Sequence, residues 1–349
     1  MSNYQLTHFR DRDVFHDNDG RVFMTLGYIQ PEDYVLSYLK YIPDPDGKWK
    51  SGSTQYKRIF SGGIDSVIEG NLKIPEHYIR ADSHFGTEVL EVPKSEISKY
   101  FNPEDRLDQI LSEGPKDSLE EKIVTLTKSL QHGLNLPLSS LGVTGSVAWD
   151  AHNPEWSDIN INIYGFKESW HLYNNYDQVA EQNSEIGLRR GKDWSSTISH
   201  LKSRVSHLSD DDLLKLYARR TELILDNYLV TIMPILLPDE APIKHGSEQY
   251  TTISNSPIDI EMTIDDCKYG IFHPSIYKGY SNTVAEDIEI TRLMMYDGSF
   301  RGMFSEGDLI HIRGTLQKVK FNNITGDDIH QIMVGTKQGI GNEFVRLIE

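Results

Sequence analysis

Apolar and polar residues alternate along Val22–Ile29 and again along Tyr34–Ile42, the two-residue period of half-buried strands. Pro43-Asp44-Pro45-Asp46-Gly47 follows as a turn, because proline fixes φ and glycine accepts positive φ. The period changes at Asp117. Leu119, Ile123, Leu126 and Leu130 then recur at helical spacing behind Asp117-Ser118 as a cap, with Glu120-Glu121 in the first turn. A second helical tract is expected from about Trp194 to Leu236, where Ser209 caps Asp210-Asp211-Asp212 and Leu213, Leu216, Tyr217, Leu223 and Ile224 build an apolar face. Alternation returns in Asp287–Met295, Asp308–Gly314 and Gln331–Gly335, separated by glycine-containing turns. About five short strands in such a span suggest a small β-barrel of the oligonucleotide-binding (OB) type.

These patterns predict an α/β (α+β) protein in three parts: a β-rich module over 1–105, a mixed core over 106–267 and a small barrel over 268–349. A chain of 349 residues accommodates this, since about 150 residues per domain is the usual guide. The formal charge is −17, which argues against coating a polyanion through net charge. That charge is uneven: residues 268–349 hold nine basic and ten acidic residues, so nearly all the excess lies in the first two parts. Cys267 stands alone, which excludes an internal disulfide and a thiolate zinc site. With no apolar run long enough to span a membrane, and no basic-then-apolar order in Met1–Gln5, a cytoplasmic protein is expected.

The candidate chemistry lies between the helical tracts. Leu141-Gly142-Val143-Thr144-Gly145-Ser146 is an apolar strand end running into a Gly-Ser pair, and Ser157-Asp158-Ile159-Asn160-Ile161-Asn162-Ile163 follows. Glycine lets backbone amides approach phosphate oxygens. In a strand, Asp158, Asn160 and Asn162 share one face while Ile159, Ile161 and Ile163 point to the core, so a row of oxygen ligands would sit on a buried strand.

This stretch resembles the signature of the DNA polymerase β-like nucleotidyltransferase superfamily: Gly-Ser, roughly ten residues, then acidic-apolar-acidic-apolar on the next strand. The chain is more closely similar to the archaeal family of predicted nucleotidyltransferases. That resemblance extends over Phe23–Tyr28, Leu39–Pro43, Gly142–Ser146, Ser157–Asn160 and Asp308–Gly314. It implies that Gly145 and Ser146 hold the phosphates of a nucleoside triphosphate, and that Asp158, Asn160 and a later carboxylate bind Mg²⁺ or Mn²⁺. Asp259 is the candidate for that carboxylate, with Glu261 on the same face as the other choice, and Arg219-Arg220 or Arg189-Arg190 would meet the triphosphate. An acceptor hydroxyl would attack the α-phosphorus and release pyrophosphate. The chain departs from the pattern at Asn160, where the superfamily has a carboxylate. Losing one full charge should weaken the second metal most, so nucleotide binding can survive without turnover. The alternative is a non-catalytic nucleotide- or RNA-binding protein that keeps the fold.

A competing motif is Ser61-Gly62-Gly63-Ile64-Asp65-Ser66, which matches the phosphate loop of the PP-loop ATP pyrophosphatases letter for letter. Gly70 and Pro75 follow too soon for a long helix, so a glycine turn between strands is expected instead. His8 and His16 lie among Asp11, Asp13, Asp17 and Asp19, which reads as a solvated acidic loop.

Overall fold

The computed structural model describes residues 8–226, 228–281, 288–322 and 327–348; Met1–Gln5 and Asp287, used above, lie outside them. The fold is mixed α+β with three sheets. The first is eight-stranded and spans Val14 to Phe101. Its long strand Tyr34–Pro43 pairs with Val22–Thr25 on one side and with Thr54–Arg58 and Thr87–Pro93 on the other.

The second sheet is the centre of the molecule. Strand Ile159–Tyr164 lies antiparallel to Leu141–Val143 and parallel to Tyr228–Ile235, with Glu222–Leu225 and Ile186–Arg189 beyond. One face carries Ile159, Ile161, Ile163, Val230 and Ile232 and is covered by helices Pro103–Glu113 and Ser118–Leu134 through Leu107, Leu119, Ile123, Leu126 and Leu130. Asp117 caps the longer helix by accepting from the Leu119 and Glu120 N–H groups. The opposite face presents Asn160, Asn162, Thr231 and Met233, which the register sets side by side.

The second helical tract is shorter than its apolar spacing suggests. Helices Ser195–Arg204 and Asp210–Ala218 are followed by strand Glu222–Leu225, so Leu223 and Ile224 belong to a sheet. The short apolar run Leu223-Ile224-Leu225 satisfies either period, and no proline or glycine marks the change.

The third sheet has seven strands. Strand Leu309–Phe321 pairs with Ile258–Tyr269, which pairs with Ser275–Ser281, then Ile290–Met295, then Ile329–Val334, and this last strand pairs back to Leu309–Phe321. These pairings close five strands into a ring. Strand Ile258–Tyr269 runs across the 267/268 division drawn from the sequence and joins the strands that follow it. Asp259 and Glu261 therefore sit in the third sheet rather than the second. Among the described residues, no helix is long and apolar enough to cross a membrane.

Ser61–Ser66 corrects a sequence expectation. It follows strand Thr54–Arg58 and runs into the first turn of helix Gly63–Asn71, with Gly70 inside the helix, rather than forming a turn between strands. The acidic loop is also not solvated: Asp11, Asp13 and Asp17 are buried. Arg21 pairs with Asp17, the Gly27 N–H donates to Asp11, and the Arg10 N–H donates to Asp13.

Candidate functional site: a cationic cleft around Asp158

Strand Leu141–Val143 ends at Thr144, whose N–H donates to the Asn160 carbonyl at 3.0 Å and whose hydroxyl donates to the Arg12 carbonyl at 2.9 Å. The chain then turns at Gly145 with φ +69°. A Cβ there would lie 3.0 Å from the Asn160 amide nitrogen, so this turn requires glycine twice over: for its left-handed backbone and for its space. The Asn160 amide donates in turn to the Asp158 carbonyl at 3.3 Å. Gly145, Asn160 and Asp158 thus form one edge of the central sheet, as the motif spacing suggests. Ser146 is buried behind that edge, its carbonyl accepting from the Ala151 N–H. Asn162 is fully buried and donates to the Tyr164 hydroxyl, so it faces no solvent ligand.

The later carboxylates do not join this edge. The Asp259 carboxylate is bound by Arg313 at 2.7 Å and His311 at 2.9 Å on the neighbouring strand of the ring. Glu261 is on the same exposed face of that strand. The in-register neighbour of Asn160 on the parallel strand is Thr231. Asp158 is therefore the one carboxylate at the edge among Asp158, Asn160, Thr231 and Asn162, and it faces Arg58, Arg189 and Lys40. Burial pushes its carboxyl up while these cations pull it down. A single carboxylate opposed by three cations does not fit a two-ion centre, which needs several carboxylates to offset ion–ion repulsion.

The Arg219-Arg220 pair is largely committed elsewhere. Arg219 is ion-paired to Asp308. Arg220 pairs with Glu222 at 2.7 Å and lies over the Trp194 ring. Arg189, from the second pair, stacks on Trp194 at 3.8 Å and reaches Glu222 at 3.6 Å, while Arg190 pairs with Asp177.

What the sequence did not reveal is a set of cations from other parts of the chain. Arg12 comes from the loop before the first strand, Lys40 and Arg58 from the first sheet, and Arg301 from the loop before the long ring strand. Arg12 donates to the Tyr38 hydroxyl at 3.0 Å, but the other acceptors are mostly thioethers. The Met24 thioether takes the Arg12 guanidinium at 3.7 Å, the Lys40 ammonium at 3.8 Å and the Tyr38 hydroxyl at 2.8 Å. Arg301 donates to the Met233 thioether at 3.3 Å, and its other terminal nitrogen is buried without a partner. Arg58 donates to the Phe60 carbonyl. Among the described residues, no carboxylate lies within 4 Å of Lys40, Arg58 or Arg301, and Arg12 has only Asp11 at 3.8 Å.

Burial and neighbouring cations shift the titration of this group. Burial, with Arg58 and Arg12 adding repulsion, brings the Lys40 ammonium down to about 7. Burial next to Arg220 and Arg12 brings Arg301 down to about 10. Burial, then Arg12 and Arg301, holds the His273 imidazole well below its usual range, and neither of its ring nitrogens is hydrogen-bonded. A cavity of about 360 Å³ opens beside Arg12, lined by Tyr38, Phe60, His273, Asp297 and Lys337. Arg58 is exposed, but Arg12, Lys40 and Arg301 are partly buried with, among the described residues, no ion pair shorter than 3.8 Å, and charge buried in that way is expensive, so this group is expected to attract an anion.

Ser61–Ser66 offers less. The Ser66 hydroxyl is used by the Gly62 N–H and by the Gly62 and Gly63 carbonyls, and a Cβ on Gly63 would collide with the Arg204 guanidinium. The strand before it is exposed except at Tyr56 rather than buried.

No family model, curated protein or solved structure matches this chain.

Proposed function

We propose that the protein binds a nucleoside triphosphate in the cleft around Asp158 without carrying out nucleotidyl transfer. The observation that carries this reading is the group of Lys40, Arg58 and Arg301, three cations with no carboxylate of the described residues within 4 Å, gathered with Arg12 beside the Gly145–Asn160 edge. Triphosphate oxygens supply the acceptors that Met24 and Met233 supply poorly, and charge-assisted hydrogen bonds to phosphate are about twice as strong as neutral ones. The adjoining cavity, of about 360 Å³ and lined in part by Phe60, is where the purine or pyrimidine ring would sit.

The nucleotidyltransferase-like arrangement is supported by the Gly145-Ser146 turn against Asn160 and by the parallel strand beside it. Turnover is disfavoured by Asn160, where the resemblance implies a second carboxylate, and by Asp259, which is bound by Arg313 and His311 in the third sheet instead of joining Asp158. A Mg²⁺ ion would arrive with the nucleotide, and no step is assigned to a resident metal. The five-strand ring, with its one parallel pairing between Ile290–Met295 and Ile329–Val334, supports an OB-like barrel and hence contact with RNA as a second reading. Lys278 and the half-exposed Tyr280 stand on its outer surface for such a contact.

The test is calorimetric titration with ATP, CTP, GTP and UTP in Mg²⁺, alongside an assay for pyrophosphate release. Saturable binding that falls in Lys40→Met and Arg58→Gln, without pyrophosphate, supports the proposal. Absence of binding by all four nucleotides overturns it, and pyrophosphate release would restore the catalytic reading.

A further inference from the structure

A second group of side chains lies away from this cleft, where the first sheet meets the third. Strand Ile79–Asp82 ends in Asp82, and the antiparallel strand Thr87–Pro93 carries Glu91. The intervening turn holds His84, and His245 comes from the loop before strand Glu248–Thr252. The Tyr250 N–H donates to the His84 carbonyl at 2.9 Å, which fixes the two segments together. One ligand atom each from Asp82, Glu91 and His245 falls within 4.8 Å of the others.

The individual bonds leave this trio incomplete. Asp82 accepts from the His84 and Phe85 N–H groups with one oxygen and meets the His245 Nε2 at 2.8 Å with the other. One Glu91 oxygen takes Arg80 at 3.3 Å. Its second oxygen is buried without a hydrogen-bond partner, on a residue only 2% exposed. His84 is fully buried, its ring centroid is 5.3 Å from that of His245, and neither of its nitrogens meets hydrogen-bond geometry. Two carboxylates this close in a partly buried site, one with an idle buried oxygen, are stabilised by a shared cation or a shared proton.

We propose that Asp82, Glu91 and His245 bind a divalent cation of the Zn²⁺ type, with His84 beside them as a further imidazole. Imidazole together with carboxylate is a ligand set that suits Zn²⁺, and its bonds of about 2.0 to 2.2 Å bring ligand atoms within the observed spread. Arg80 orients Glu91, and the His84 and Phe85 amides orient Asp82, which is the outer support such sites require. Since His245 belongs to the third sheet's approach and the carboxylates to the first sheet, the ion would clamp the two together.

The experiment uses the full chain stripped with chelator and then titrated with Zn²⁺, and separately with Co²⁺ to read the visible band of a low-coordinate site. The expected result is one equivalent of Zn²⁺, a Co²⁺ band that Zn²⁺ abolishes, and a melting temperature that rises with Zn²⁺. Glu91→Gln and His245→Gln should each weaken Zn²⁺ by roughly tenfold or more. Glu91→Gln keeps the side-chain shape, and its circular dichroism and melting without metal establish that it folds. A parent protein with neither band nor Zn²⁺-dependent melting overturns the proposal and leaves the shared proton. So does Zn²⁺ affinity unchanged in both variants.

Discussion

Lys40→Met is the sharpest perturbation of the cleft, because it should make the protein more stable and less able to bind. Lys40 falls from an ordinary 10.5 to about 7. At 1.36 kcal/mol per factor of ten, the folded state at pH 6 carries an upper figure of about 5 kcal/mol for holding that proton in the cleft. The sign follows from proton counts: between about pH 7 and 10.5 the unfolded chain binds more protons at this site than the folded one, so parent stability rises with pH there. The penalty shrinks to about 2 kcal/mol at pH 9. Methionine removes the charge and keeps the length of the side chain. Urea unfolding of the variant should therefore give greater stability than the parent at pH 6, with the gap narrowing by pH 9. Bound triphosphate restores the proton on Lys40, so parent affinity should fall as pH rises through about 7 to 8. Loss of one charge-assisted bond, about 1.5 kcal/mol or more, lowers affinity at least roughly tenfold. A variant less stable than the parent at pH 6, with unchanged nucleotide affinity, would refute the reasoning.

Three other outcomes follow from the same geometry. Gly145→Ala should cost about 1–2 kcal/mol in urea unfolding, because its backbone stands at φ +69° and the new methyl presses on Asn160; parent-like stability would contradict the turn. Arg106→Met should cost about 3–5 kcal/mol, since it leaves the buried Glu120 without the partner now at 2.7 Å and releases the Val147 carbonyl beside the Gly145 turn. The double change Asn160→Asp with Thr231→Asp should create Mn²⁺ affinity at the edge, read by electron paramagnetic resonance, because it puts three carboxylates on adjacent positions of two parallel strands; no gain over the parent would show that the register does not bring those side chains together.

How far the chain could be read in advance depends on the range of the interactions. The helix Ser118–Leu134 was legible because its cap and its apolar spacing are local. Gly145, Asn160 and Asp158 were also legible as a group, since a turn and the adjacent strand bring them together. Asp259 was not, because its acidic-apolar alternation fits any half-exposed strand, and only non-local pairing with Leu309–Phe321 reveals which sheet it joins. The cations were hidden for the same reason. Lys40 sits in a strand alternation that reads as a solvent face, and Arg12 and Arg301 are separated by most of the chain. The buried aspartates near the amino terminus were read as solvated because their partners, Arg21, the Gly27 amide and Arg10, give no sequence signal of burial.

Titration of the full chain with ATP and Mg²⁺ at pH 6.5, parent against Lys40→Met and Arg58→Gln, tests the central claim most directly. One saturable site in the parent, weakened roughly tenfold or more in each variant, is the result expected from cations awaiting phosphate. Binding that is absent in the parent, or equal in all three proteins, would contradict it.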